Sequence, residues 1–200
     1  MKDKHEGFTI IEVVLVLAIA GMIFAMTFMV LPSLWANERD TERREDVLAF
    51  VRNLKSYQAN NSRGALPEFR GGRDYEEVVG EDAAGERDSN QAQKKLTEGT
   101  WHGFYRDYFN DDYKDPNGER YNWTAVTCMS SDSKTRKVGD KCNNSRLSEF
   151  YNRSFNDNNY TLMIVTSATC DGEDAKLSAN DRRVAALYRL EGSGVYCENI

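Results

Sequence analysis

Apolar and polar positions divide this chain into three regimes. From Val13 to Pro32, twenty consecutive residues carry no charge. As a helix that stretch spans roughly 30 Å, the thickness of a bilayer's hydrocarbon core. Asn37 to Asp46 then reads Asn-Glu-Arg-Asp-Thr-Glu-Arg-Arg-Glu-Asp, with acids and bases three and four apart, which predicts a solvated helical face. Val47, Phe50, Val51, Leu54 and Tyr57 follow at helical spacing. The same helix is therefore expected to continue to about Asn60, bent but not ended by Pro32, with its second half lying on a folded domain. Asn60-Asn61-Ser62-Arg63-Gly64 supplies turn formers to stop it.

Beyond that stop the pattern is mixed. Ala65 to Asn90 is rich in Gly, Asp, Glu and Arg and predicts a long surface loop, with a short helix around Tyr75 to Val79. Gln91 to Phe109 is a second helical stretch, in which Trp101, Phe104, Tyr105, Tyr108 and Phe109 form an aromatic stripe suited to core packing. Strands are expected at Tyr121–Cys128, Tyr160–Ser167, Arg182–Leu190 and Val195–Cys197, the last two joined by a hairpin at Gly192-Ser193-Gly194. The order predicts an α+β fold: a long N-terminal helix, transmembrane then amphipathic, packed on a C-terminal antiparallel sheet of about four strands.

Glu12 interrupts this picture. It is the only ionisable side chain between Glu6 and Glu38 and sits at the edge of the apolar run. A carboxylate pointing into lipid alone costs about 2.5 kcal/mol or more, so Glu12 requires a partner. With Gly7-Phe8-Thr9-Ile10-Ile11-Glu12, a short polar leader before it and the apolar helix after it, the segment resembles the class III signal of type IV pilins and type II secretion pseudopilins. The resemblance implies a pilin fold, cleavage between Gly7 and Phe8 by a prepilin peptidase, and N-methylation of Phe8. It implies a role for Glu12 in assembly, as the partner of the freed Phe8 amine in its own or a neighbouring subunit. Family members commonly carry a proline where Met29 stands; here the proline is Pro32.

The implied organisation is a leader at 1–7 that is removed, a membrane and filament-core helix at 8–35, its amphipathic continuation at 36–61 and a globular head at 62–200. The implied function is that of a structural subunit of a pilus-like surface filament. It would be held in the cytoplasmic membrane before assembly and at the cell surface after it. Its partners would be copies of itself, the prepilin peptidase, the assembly platform and related pilins. A pseudopilin of a secretion or DNA-uptake machine is the alternative, ahead of an anchored enzyme or a tip-borne binding module displaying Trp101 or Trp123.

Composition adds three points. A net charge of −6 argues against a nucleic-acid-binding face. Cys128, Cys142, Cys170 and Cys197 all lie in the last third. Their even number in a domain destined for export suggests disulfides, with Cys128–Cys142 and Cys170–Cys197 favoured because they close short loops. No GxSxG, HExxH or P-loop signature marks an enzyme, and no cofactor is implied. His102 stands without a nucleophile motif near it, and Asp111, Asp112, Asp115 and Asn117 form a weak calcium candidate within what otherwise reads as a turn.

Overall fold

The computed structural model describes residues 8–61, 64–68, 76–79, 99–108, 114–119, 121–128, 137–152, 161–192 and 194–200. They divide into two compact units, Met1–Glu38 and Arg39–Ile200. One helix of 51 residues, α1 (Ile10–Asn60), contributes to both.

In the first unit α1 is apolar on all sides and none of its membrane-length window is buried. Phe8, Ile10 and Met29 are 83–89% exposed. Pro32 lies inside the helix without ending it. Thr27 and Ser33, two of its few polar side chains, donate to the carbonyls of Ile23 and Val30 at 2.9 and 2.8 Å. A hydroxyl in an apolar helix thus satisfies itself on the preceding turn.

The second unit is built on a five-stranded sheet in the order β1-β2-β3-β6-β7. Its strands are β1 (Glu76–Val79), β2 (Asn122–Thr127), β3 (Thr161–Thr166), β6 (Val184–Arg189) and β7 (Val195–Asn199). A separate two-stranded hairpin pairs β4 (Ala168–Asp171) with β5 (Asp174–Leu177). Among the described residues it also holds two short helices, α2 (Trp101–Tyr108) and α3 (Ser145–Asn152).

Both faces of the sheet are covered. On one, Val47, Phe50, Val51 and Leu54 of α1 and Trp101, Phe104 and Tyr105 of α2 meet Trp123, Leu162, Ile164 and Tyr188. On the other, Leu147 and Phe150 of α3 and Ala175 and Leu177 of the hairpin meet Val126, Met163, Val165 and Leu187. Double coverage explains why β3 (Thr-Leu-Met-Ile-Val-Thr) reads as a continuous apolar run and not as an alternating one. The four α1 side chains are 0–4% exposed. At about 1.5–3 kcal/mol for each buried side chain of this size, they are the main apolar hold of the helix on the sheet.

The structure departs from the pattern-based expectation in four places. The sheet is mixed: β2 and β3 run parallel, Trp123 opposite Leu162 and Val126 opposite Val165. Parallel neighbours need a crossover, and the unexpected helix α3 lies within it. Glu76–Val79 is a strand and not a helix, antiparallel to β2 with Val79 opposite Trp123. Pairing with β2 satisfies the segment's backbone groups and suits its two valines. Between the strands expected at Tyr160–Ser167 and Arg182–Leu190 lies the β4–β5 hairpin, which the pattern does not predict, Cys170 opposite Ala175. Of the helical stretch expected at Gln91–Phe109, Trp101–Tyr108 is helical, preceded by a turn at Gly99 with φ of 81° and a bridge between Glu68 and Thr100, while 91–98 and 109 lie outside the described residues.

Candidate functional site

Among the described residues two polar clusters stand out, one in each unit. The first is the start of α1. Thr9 precedes the first helical residue, and the backbone N–H of Val13 donates to the Thr9 carbonyl at 3.3 Å. Three residues on, the Glu12 carboxylate reaches back. Its Oε2 accepts from the Thr9 N–H at 2.9 Å and from Thr9 Oγ1–H at 2.8 Å. Glu12 N–H lies 3.4 Å from Thr9 Oγ1, closing a capping box in which Thr9 and Glu12 satisfy each other's orphan groups. Glu12 Oε1 accepts no hydrogen bond among the described residues. The carboxylate that sequence reasoning singled out is thus half occupied by its own helix start and has one oxygen open. Phe8 stands beside it with 89% of its surface exposed, and Gly7 lies outside the described residues.

The second cluster is centred on Arg43. Its side chain is 0% exposed, though it falls in the charge run expected to be a solvated face. Nε and Nη2 clasp Asp115 at 2.7 and 3.2 Å, Nη1 donates to Asp40 at 2.9 Å, and Nη2 donates to Glu191 at 2.8 Å. Arg39 clasps both oxygens of Glu191, donating from Nε to Oε1 at 2.9 Å and from Nη2 to Oε2 at 2.5 Å. Asp40 accepts the backbone N–H groups of Glu191 and Gly192, and Asp115 accepts Tyr188 Oη–H at 3.0 Å and the N–H of Asn117 at 2.9 Å. The expectation of a solvated face is therefore corrected at Asp40 and Arg43. Buried charge is tolerated here because every ion is paired and hydrogen-bonded. Positions 43, 47, 50 and 54 form one i, i+4, i+7, i+11 line, so Arg43 extends the apolar stripe by one turn. That spacing was the available signal for its burial.

Electrostatics follow from the contacts. Burial disfavours charge on Arg43, but hydrogen bonds to Asp115, Glu191 and Asp40 outweigh it and hold the guanidinium ionised. The Arg39 hydrogen bond, with Arg43 behind it, pulls the Glu191 carboxyl down from 4.5 to about 2. Burial, then the neighbouring Asp115 charge, pushes the Tyr188 phenol up. Nearby, Tyr121 Oη–H donates to Asp46 at 2.6 Å, and burial raises both groups. The cluster joins α1, the Asp115 turn and the β6–β7 connection through mutually paired ions.

The remaining candidates are placed as follows. Asp115, from the calcium set, is committed to Arg43, Tyr188 and the Asn117 N–H, while Asp111 and Asp112 lie outside the described residues. Among the described residues no group of three His, Cys, Asp or Glu is disposed to hold a metal. The His102 side chain is outside the description. Trp101 and Trp123 are both 0% exposed, so neither forms the displayed aromatic surface of a binding module. Phe50 and Tyr105 stand edge-on to Trp123 with centroids 4.9 and 4.8 Å away, a core arrangement. Disulfides join Cys128 to Cys142 and Cys170 to Cys197, and no described cysteine is free.

Comparison with known proteins bears on the first cluster. No curated protein and no solved structure matches the chain. Residues 2–28, which contain Gly7, Phe8, Thr9 and Glu12, match the family model described as the prokaryotic N-terminal methylation motif. That match identifies the start of this chain as the class III signal peptide carried by type IV pilins and pseudopilins.

Proposed function

We propose that the chain is a structural subunit of a type IV pilus-like surface filament, matured by cleavage after Gly7 and assembled through its N-terminal helix. The observation that carries this reading is the methylation motif placed on an apolar helix that no described residue buries. Such a helix is stable in lipid, and it leaves lipid only for an equally apolar setting, which a bundle of identical helices provides. Processing by a prepilin peptidase and assembly with related pilins follow from the signal type. The charges of the head's buried cluster, Asp40, Arg43, Asp115 and Glu191, are committed to one another.

Glu12 supplies the register in this reading. Cleavage frees an amine on Phe8 at the depth of the carboxylate, and an unpaired charge of either sign is costly there. Thr9 occupies Oε2 only, so Oε1 is open to an amine. Glu12→Ala should leave the protein in the membrane, processed, and unable to form filaments, as read by electron microscopy and by N-terminal sequencing for methyl-Phe8. Normal filaments from that variant would remove Glu12 from assembly. A wild-type protein that retained Met1 and stayed dispersed in membrane would overturn the whole reading.

A further inference from the structure

Opposite its buried stripe, the part of α1 within the second unit turns a charged face to solvent. Glu42, Glu45, Arg52 and Lys55 are all exposed. They form two like-charged doublets, each with its members three residues apart. On a helix the neighbours of a residue lie three and four positions away. For Arg52 these are Leu48, Ala49, Lys55 and Ser56, and for Lys55 they are Val51, Arg52, Gln58 and Ala59. Glu45 has Thr41, Glu42, Leu48 and Ala49. Glu42 has one basic neighbour, Arg39, which is bound to Glu191. Nearby Arg44 lies over the Tyr196 ring and Asp46 accepts from Tyr121, and none of the four doublet residues has an ion-pair partner among the described residues. Each doublet is therefore mildly self-repelling in a single copy, by a few tenths of a kcal/mol.

The doublet centres lie ten residues apart, which on a helix is about 15 Å. Between them sit Leu48 and Ala49, half-buried and uncharged. We infer that this face docks a second copy of the same chain, the Glu42/Glu45 doublet of one copy meeting the Arg52/Lys55 doublet of a parallel copy displaced along α1 by about 15 Å. The occupant is a second copy because one surface carries both halves of the complementarity. The arrangement is parallel because α1 enters the membrane at the same end in every copy. A displaced parallel contact is heterologous and repeats without closing, as a filament requires. The inference rests on the filament reading and adds where the heads take their register. Exposed pairs are individually weak, so the doublets select position more than they add strength.

Charge reversal tests it in the full-length protein. E42K/E45K and R52E/K55E should each lower the yield of sedimentable filament about tenfold or more, since like doublets then face each other. The chain carrying all four reversals should recover assembly to within about threefold, since complementarity is restored. E42Q/E45Q, which keeps shape and removes charge, should be intermediate, and it decides the matter if a reversal fails to accumulate. Wild-type filaments with undiminished assembly in the reversals and in E42Q/E45Q would overturn this inference and leave the filament reading standing. So would a closed antiparallel dimer joined through the same doublets. Absence of wild-type filaments would instead overturn the filament reading.

Discussion

Arg43 answers three carboxylates with one guanidinium, and the surplus of acid is met by Arg39, three backbone N–H groups and a tyrosine hydroxyl. Removing the cation would leave acids facing one another without compensation, whereas the assembled cluster fixes where α1 meets the β6–β7 connection. Glu191 makes it sensitive to acid. Its folded pKa of about 2 lies below the ordinary 4.5, so the stability it contributes is complete above about pH 4.5 and is lost as pH falls toward 2. Thermal melting followed from pH 6 to pH 2.5 should fall for the wild type, and the fall should be shallower in Glu191→Gln. Equal slopes would mean that Glu191 is not held by the two arginines. Glu12 and Arg43 also differ in legibility. An acid in an apolar run is conspicuous, while an arginine in a charge run is hidden, although both are placed by the same helical spacing.

The elements that were readable are those with a long or apolar pattern. Helix α1 and strands β2, β3, β6 and β7 all fall within a residue or two of the runs that predict them. Helix α3 was not readable, because its eight residues bury only Leu147 and Phe150. Without α3 the β2–β3 crossover is invisible, and so is the parallel pairing it permits. The disulfides act on the same elements. Cys128–Cys142 ties the end of β2 to the segment before α3, and Cys170–Cys197 ties the hairpin to β7. With its cysteines 27 positions apart in sequence, the second bond should contribute about 3 kcal/mol by restricting the unfolded chain. Replacing Cys170 and Cys197 by Ser should lower the unfolding free energy in urea by about that amount. A loss below about 1 kcal/mol would mean that hairpin and β7 hold each other without the bond.

Taken whole, the molecule assigns its apolar surface unevenly. All the large exposed hydrophobic side chains among the described residues lie between Phe8 and Trp35, except Val138. A chain begun at Ala36 should accordingly be a soluble monomer by size-exclusion chromatography, melting cooperatively, while the full chain should require detergent or assembly. Aggregation of the shortened chain would mean that the head has an apolar face of its own to cover. The cysteine bonds also govern how the molecule behaves under tension. They join cysteines 14 and 27 positions apart in sequence into links of fixed reach. A pull transmitted from one chain end to the other can draw out only the segments before, between and after those links. The elongation such a molecule reaches when hauled upon is therefore capped by two covalent clips, however far its sheet has come apart.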